Sequence, residues 1–260
     1  MRNSKTYLVV GTIICLLFTV FFMFPLVIMV VRSFSNGGPS NYVKVFDKYN
    51  LFLNFSTSVI VVGLSLVIVA MVVSLASFAF AKLEFPCKKL LYYTLLGGMM
   101  VPTAATIYPL YQIVKLLNLI SSPFSLILPY ATASCCFNLM ILKNYYDAIP
   151  NEMIEAASID GATPLQQFRY ITLPLLSPTS LFLFITTFIS SMKVYQSVDV
   201  MTGGGPRQQT EVMVYYIYRL AFDDNRIDRA SVVALLFFVV LLIVTASTMR
   251  ITNKNVHYEA

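Results

Sequence analysis

The residues with the clearest chemical character form one short polar stretch, 155–161, in an otherwise apolar chain. It contains the carboxylates Glu155 and Asp160, the adjacent alanines Ala156 and Ala157, and Gly161. Neither a nucleophile paired with a base nor a group of metal ligands is present, so the stretch does not predict catalysis. The alanines carry almost no side chain, which lets another surface come close. The stretch therefore predicts a contact surface.

Local signals place this stretch in two short helices joined by a bend. Asn151 is a good N-cap for the first helix, and Gly161 can take the left-handed conformation that ends it. The run 163–166, Thr-Pro-Leu-Gln, is typical of a second start: a Thr cap, Pro at the first helical position and Gln three residues after the cap. We expect this second helix to run to about Tyr170, with the bend at Asp160 and Gly161.

The composition predicts an all-α polytopic membrane protein around these helices. The chain has 260 residues, of which 58% are hydrophobic and 12% charged, and its mean hydropathy is +0.75. A soluble chain of this size needs more charge to cover its surface. We expect about six transmembrane helices in a single domain, at residues 8–31, 55–81, 90–111, 123–142, 174–192 and 231–249. Gly97, Gly98, Pro102 and Pro109 interrupt the third.

Several function classes are disfavoured by what the sequence lacks. The six predicted spans contain no Asp, Glu, Lys, Arg or His, whereas ion-coupled transporters place ionisable groups at membrane depth. A phosphate-binding G-x-x-x-x-G-K-[S/T] motif is missing, so the chain is not expected to hydrolyse ATP. The 18 basic residues are scattered, which argues against nucleic-acid binding. We expect no catalytic residues and no metal site, and hence a transport component driven by a separate energy source.

Seven residues across 155–174 match a family pattern at every spacing: Glu155, Ala156, Ala157, Gly161, Ile171, Leu173 and Pro174. The pattern resembles the EAA loop in the membrane (permease) subunits of binding-protein-dependent ABC importers. We call residues 143–172 the EAA loop. The resemblance implies that it is cytoplasmic and docks on an ATP-binding subunit. Glu155 would be the charge partner, the alanines would allow close approach and Gly161 would fix the bend. Asp160, Leu173 and Pro174 belong to the same expected coupling set.

Further motifs resemble the carbohydrate branch of these importers, the maltose-type permeases: Phe24-Pro25, Tyr108-Pro109-Leu110-Tyr111, Ile149-Pro150, Ile159-Asp160-Gly161-Ala162 and Thr202-Gly203-Gly204-Gly205-Pro206. The resemblance implies a sugar substrate, a heterodimer with a second related permease, two ATP-binding subunits and an extracellular solute-binding protein. ATP and Mg would bind the partner ATPase, and this chain would bind no cofactor. The resemblance leaves open which of the two permease roles the chain plays.

Orientation also comes from the resemblance. Basic residues divide nine to nine between the two sides of the six predicted spans, so the positive-inside rule does not decide it. A cytoplasmic EAA loop puts both termini in the cytoplasm of a bacterial cell and segment 193–230 outside. The glycine run Gly203, Gly204, Gly205 and Pro206 would then contact the binding protein, although a plain turn explains it too.

Candidate residues for the sugar pathway are polar or aromatic and lie in or near broken spans: Tyr108, Tyr111, Asn138, Ser190, Ser191, Tyr195 and Gln196. Sugars are usually held by aromatic faces with a few amides and hydroxyls. Each residue could equally bond neighbouring helices or anchor the chain at the membrane interface.

Three other functions remain open from the sequence. The chain could be an ABC permease for another solute, such as peptides or polyamines. It could be a channel or ion-coupled carrier, or an assembly protein without transport. The EAA loop could likewise be an ordinary connector, with Glu155 a solvated residue favoured by the helix dipole.

Overall fold

The computed structural model of the protein describes residues 2–48, 50–120, 122–205 and 210–253, which form helices and short connections without any strand. The all-α expectation is confirmed. Twelve α-helices occur in these residues: α1 Arg2–Ser33, α2 Ser40–Lys48, α3 Leu51–Lys82, α4 Lys88–Gly98, α5 Thr103–Leu116, α6 Phe124–Ala148, α7 Asn151–Ile159, α8 Pro164–Gln167, α9 Leu173–Met192, α10 Gln196–Met201, α11 Met213–Tyr218 and α12 Ile227–Asn253. Two π-helical turns, Phe168–Thr172 and Arg219–Asp223, interrupt the α pattern.

Five helical segments in the described residues are long and apolar enough to cross a membrane: Tyr7–Ser33, Leu51–Lys82, Phe124–Ala148, Pro164–Met192 and Ile227–Arg250. They cover five of the six predicted spans and extend beyond most of their predicted ends. The extra residues are partly polar, because a helix continues past the apolar stretch that hydropathy detects. Lys82, Lys143 and Arg250 lie in such extensions.

The third predicted span, 90–111, is two helices rather than one. Helix α4 ends at Gly98, and α5 begins at Thr103 after an extended Pro102 with ψ of 136°. The residue before a proline is pushed away from the helical region, and Pro102 itself donates no backbone hydrogen bond. Pro109 lies inside α5 without ending it. Of the predicted breakers, the break therefore falls at the Gly-Gly and Pro102 segment alone.

The fifth predicted span, 174–192, begins ten residues earlier than expected. Helix α8, the π-helical turn Phe168–Thr172 and α9 form one continuous helical segment, Pro164–Met192. Pro174 would clash with the carbonyl four residues before it in a regular α-helix. A π-turn widens the helix at this point, and the Leu173 amide donates to the Phe168 carbonyl. The second helix of the EAA loop is therefore the first part of the following span.

The chain divides into two compact units, one formed by Met1–Leu51 and Tyr216–Val240. In this unit the buried Asn41 ties the end of α1 to α2. Its amide nitrogen donates to the carbonyl oxygens of Ser33 at 3.0 Å and Ser35 at 2.7 Å. The apolar side chains of α1 are mostly exposed, which suits lipid or partner contact.

The second unit, Phe52–Tyr215 and Leu241–Ala260, contains the EAA loop and two apolar clusters. One cluster packs α3, α6 and α9 together through Val69, Val73, Leu139, Leu176 and Leu183, among others. The other joins α3 and α6 to α10 and to the start of α11, and includes Val61, Leu126, Val198 and Val212. Burial of these faces holds the three long helices of the unit in a fixed arrangement.

Candidate functional site

The first helix of the EAA loop, α7, ends as its sequence predicts. Gly161 has φ of +80°, the left-handed conformation that glycine adopts without strain. The amide of Ala162 donates to the Ala157 carbonyl at 2.9 Å, and that of Gly161 to the Ser158 carbonyl at 3.1 Å. These two bonds form a Schellman motif and satisfy carbonyls at the helix end. The bend at Asp160 and Gly161 is therefore built into the backbone.

The second helix begins at the predicted capping box. The Gln166 amide lies 3.4 Å from the Thr163 hydroxyl oxygen, and the Thr163 amide donates to Gln166 Oε1 at 2.8 Å. Pro164 occupies the first helical position. The prediction that Asn151 caps α7 is wrong: Pro150 occupies the cap position, and Asn151 is the first helical residue. The Asn151 side-chain oxygen instead accepts a hydrogen bond from Lys82 at 3.0 Å.

A glutamine side chain holds the two helices of the loop at their bend. Gln167 Nε2 donates to the Ser158 hydroxyl oxygen at 2.8 Å and to the Ala162 carbonyl oxygen at 3.1 Å. One amide group on α8 thus contacts both the last turn of α7 and Ala162, which directly follows the bend. This contact fixes the angle between the helices beyond what the backbone turn alone does.

The tip of the EAA loop presents both charged and apolar side chains outward. Glu155, Ala156 and Asp160 are exposed. Ile159 is 86% exposed and Leu165 is 75% exposed. Large apolar side chains beside carboxylates on a tight turn are typical of a surface that another protein covers.

The last two residues of the expected coupling set lie away from this tip. Leu173 begins α9 and is one of the residues that line a cavity in the second unit. Pro174 is half-buried in the first turn of the same helix. Both residues lie in the helical segment Pro164–Met192, which also contains Leu165 of the tip. Leu173 is 49% exposed.

The cavity has a volume of about 460 Å³ and is lined by residues of α3, α6, α9 and α12. Most of its walls are apolar, and its polar side chains are all uncharged: Ser74, Asn138, Ser177, Ser180, Thr187 and Thr248. A mostly apolar cavity with a few amide and hydroxyl groups is the usual composition of a small-molecule site.

Asn138 is the most constrained polar group in this cavity. It is only 2% exposed, and its Nδ2 donates to the Thr187 hydroxyl oxygen at 2.8 Å. Its Oδ1 makes no hydrogen bond to the described part of the chain. A buried acceptor without a partner costs about 1–3 kcal/mol. The carbonyl oxygen is shielded from solvent, so a hydroxyl group or water in the cavity reaches it only after a small shift of the Asn138 side chain or its neighbours.

The other predicted pathway residues do not line this cavity. Tyr108 and Tyr111 lie on α5 with ring centroids 6.5 Å apart, and Tyr108 is 64% exposed. The remaining four follow one another around the end of α9: Ser190 and Gln196 are exposed, Ser191 is buried and Tyr195 is half-buried. The structure thus brings only Asn138 of the seven to the cavity.

The glycine run is folded tightly onto its own unit. Gly203 and Gly204 have φ of +55° and +81°, and Gly205 is half-buried. A Cβ on Gly204 would lie 3.1 Å from Tyr215 Cε1. The Thr210 hydroxyl lies 2.6 Å from the Gly205 carbonyl oxygen and 2.8 Å from the Thr202 hydroxyl. Pro206, the last residue of the expected binding-protein contact, lies outside the described residues.

Sequence reasoning missed Lys82, Gln167 and the hydroxyls of the cavity. Ser177, Ser180 and Thr187 recur on one face of α9 at helical spacing, which is a usable signal. Lys82 and Asn151 are 69 residues apart, and no local pattern predicts their contact. Within the described ranges, His, Cys, Asp and Glu form no group of three or more that could hold a metal ion.

Comparison with known proteins gives a consistent set of relatives. Residues 73–257 match the family described as "Binding-protein-dependent transport system inner membrane component". An ABC transporter permease protein of Caldicellulosiruptor sp. (strain Rt8B.4) is 36% identical over 129 residues, 50% of this chain and 47% of that protein. The diacetylchitobiose uptake system permease protein NgcG of Streptomyces coelicolor is 26% identical over 68% of this chain and 63% of its own length. The sn-glycerol-3-phosphate transport system permease protein UgpA of Yersinia pestis bv. Antiqua is 25% identical over 85% of this chain and 82% of its own.

These similarities cover different shares of the relatives and of this chain. In the first alignments the chain spans about half the length of the curated relatives it matches, 47% and 42%. A crystal structure of a bacterial ABC transporter involved in the import of the acidic polysaccharide alginate includes a chain that superposes with a TM-score of 0.79. The superposition covers 97% of this chain and 98% of that one at 17% sequence identity. The fold is therefore shared along nearly the whole chain.

Proposed function

Because the chain belongs to the family of inner membrane components of binding-protein-dependent transport systems, we propose that it is a permease subunit of an ATP-driven importer for sugars or oligosaccharides. It forms half of the translocation pathway, and a second related permease forms the other half. Two ATP-binding subunits bind on the cytoplasmic side, and a solute-binding protein delivers the sugar from outside.

The observation that carries this proposal is the construction of the EAA loop. Its tip presents Glu155, Ile159 and Leu165 outward, while its backbone turn and the Gln167 contacts hold it rigid. The same segment continues without interruption into α9. A rigid exposed tip joined directly to a long apolar helix can convert movement of a partner into movement of that helix.

A neutral, hydroxyl-rich solute fits the cavity better than a charged one. The lining has hydroxyls and one side-chain amide but no charged side chain. A polyamine would be expected to need carboxylates, and a peptide with charged ends would need charged partners. Sugars bind through such amides and hydroxyls set in apolar walls. This composition favours the carbohydrate hypothesis over the peptide and polyamine alternatives.

The proposed cycle follows from these parts. ATP binding closes the two ATPase subunits and moves the EAA loops with them. Helix α9 tilts, and the cavity then opens to the outside to receive sugar. Hydrolysis returns the EAA loops to their first position and opens the cavity inward.

The two-helix break at Met99 to Pro102 is compatible with α4 and α5 together making one crossing of the membrane. This arrangement puts both termini in the cytoplasm and 193–230 outside.

The test changes the loop in the complete transporter, reconstituted with its partner permease, ATPase and binding protein. Glu155→Lys and Gly161→Pro are expected to remain in the membrane but to lose ATPase association and ATP-dependent uptake. Glu152→Lys, on the exposed first turn of the same helix, is the matched charge reversal and is expected to retain both. Normal uptake by both loop variants would overturn the coupling role.

The substrate class is tested with four labelled probes: maltose, diacetylchitobiose, an alginate oligosaccharide and sn-glycerol-3-phosphate. Uptake of a neutral saccharide is expected, and uptake of sn-glycerol-3-phosphate alone would contradict the carbohydrate assignment.

Asn138→Leu, which removes the amide from the cavity, is expected to raise the KM for uptake of the transported saccharide while ATPase association is unchanged. An unaltered KM would remove Asn138 from the pathway.

A further inference from the structure

Lys82 connects the end of one long helix to the start of the EAA loop. It is the last residue of α3, and its ammonium nitrogen lies 3.2 Å from the Ile149 carbonyl oxygen and 3.0 Å from Asn151 Oδ1. These acceptors flank Pro150, the joint between α6 and α7. One side chain therefore contacts the chain on both sides of the joint.

The position of Lys82 is favourable for electrostatic reasons. Helices α3 and α6 both end here, at Lys82 and Ala148, and the carboxyl end of a helix carries partial negative charge. The last carbonyls of each helix also lack partners within the helix. An ammonium group with three donors can bond such a carbonyl and the Asn151 amide at once. The structure gives Lys82 two specific acceptors rather than general proximity to negative charge.

The contact has a mechanical consequence because of what α3 does elsewhere. Residues 66–74 of α3 contribute five members to the cavity lining, which are Leu66, Val69, Ala70, Val73 and Ser74. The EAA loop is covalently continuous with α6 and α9 only. Helix α3 also packs on α6 through their apolar faces. The Lys82 contacts add a direct polar link from the end of α3 to the start of α7, and α3 forms a wall of the cavity.

We infer that Lys82 is a positioning residue that couples the EAA loop to α3, so that displacement of α7 reshapes the cavity wall formed by α3. The inference rests on the proposed importer function for its consequence in transport. Its structural part, that the Lys82 contacts hold the start of α7, stands without it. Lys82 acts through Asn151 and the Ile149 carbonyl and contacts neither nucleotide nor solute.

The experiment compares four variants in the complete transporter. Lys82→Met removes the charge and donors at similar length, and Lys82→Arg keeps them. Asn151→Ala removes one of the two acceptors. Lys89→Met removes an exposed lysine from the neighbouring helix α4, and so controls for loss of a basic residue on the same short segment. Two quantities are measured: hydrogen–deuterium exchange of the α7 amides, and saccharide taken up per ATP hydrolysed.

Lys82→Met is expected to accelerate exchange in Asn151–Ile159 and to lower uptake per ATP at least about fivefold, the lower end of the range for coupling between two sites. Lys82→Arg is expected to restore both, Asn151→Ala to give a smaller change of the same kind, and Lys89→Met to resemble the wild type. Either unchanged exchange or unchanged uptake per ATP in Lys82→Met would overturn the inference. An equal loss in Lys89→Met would do so as well, because the effect would then be one of charge alone.

The two readouts separate this inference from the function on which it rests. If the unaltered transporter takes up none of the four probes, the proposed function fails, and the exchange of α7 alone decides the role of Lys82. If the unaltered transporter couples uptake to ATP and Lys82→Met does so equally well, the proposed function stands and the positioning role is lost.

Discussion

Two glycine-containing loops of the second unit use the same backbone conformation for opposite purposes. Gly161 and Gly204 have almost the same φ, +80° and +81°. No heavy atom lies within 4 Å of the position of a Cβ on Gly161, whereas Tyr215 lies 3.1 Å from that on Gly204. Gly161 turns the chain so that neighbouring side chains face outward. Gly204 lets the chain lie against the ring of Tyr215, which occupies the space that a side chain at this position would need.

Glycine in a polar loop therefore does not by itself identify an exposed contact surface. The EAA loop exposes Ile159 and Leu165, and the backbone around them is satisfied locally. The glycine run, in contrast, is stabilised by non-local packing on Tyr215 and by the Thr210 hydroxyl. Substitutions should therefore affect partner binding in the first loop and folding in the second.

The first expected effect is on partner binding at the exposed tip. Ile159→Asp replaces a large exposed apolar side chain and is expected to weaken ATPase association about 30-fold, the size of a hot-spot residue of about 2 kcal/mol. The thermal unfolding midpoint of the permease should not change. Val200→Asp, at an exposed apolar position on α10, is the control and should bind the ATPase normally. Equal weakening of ATPase association by both variants would mean that the tip of the EAA loop is not a specific contact surface.

The second prediction compares how an alanine at each of the two glycines changes the stability of the permease. Gly204→Ala is expected to destabilise the permease by about 2–4 kcal/mol, since left-handed strain and crowding against Tyr215 add together. Gly161→Ala should cost about 1–2 kcal/mol, because only the strain applies. Thermal unfolding of the detergent-solubilised protein measures the order. A larger loss in Gly161→Ala would show that the open space around it is filled in solution.

A smaller effect is expected from the hydroxyl that closes the glycine run. Thr210 is fully buried, and Thr210→Val keeps its shape while removing the contacts to Gly205 and Thr202. Leaving a buried carbonyl without its donor costs about 1–3 kcal/mol, and the lower end applies because Gly205 is half-buried. The unfolding midpoint should fall, with ATPase association retained. Thr210→Ser, which keeps the hydroxyl, should recover most of the loss.

The smallest expected effect concerns the bend of the EAA loop. Gln167→Leu removes the two hydrogen bonds to Ser158 and Ala162, each worth about 0.5–1.5 kcal/mol where partly buried. Global stability should change little, because the group is near the surface. Amide exchange at the last turn of α7 should accelerate, and Arg169→Leu, at an exposed position two residues further on, serves as the neighbouring control. Unchanged exchange in Gln167→Leu would mean that the backbone motif alone holds the bend.

Features that depend on residues close together in the sequence were predictable, and features that depend on distant residues were not. Helix α7, its end at Gly161 and the capping box at Thr163 were predicted correctly, because each depends on residues within a few positions. The interruption of the third predicted span followed from Pro102 for the same reason. The Asn151 cap was wrong because α7 begins at Asn151 itself, with Pro150 in the cap position. The side-chain oxygen of Asn151 bonds Lys82, which is distant in sequence. A local rule cannot predict this contact.

By itself, then, the sequence determined an all-α membrane protein, the bend of the EAA loop and its resemblance to an importer subunit, since hydropathy and capping are local properties. Only the tertiary structure decided that the loop continues into α9 as one helix, that Asn138 and Thr187 meet in a cavity, and that Lys82 contacts the start of the loop. These features require helices distant in sequence to pack side by side. Burial of their apolar faces brings those side chains together. The spacing of residues along the chain does not show which helix faces pack against each other.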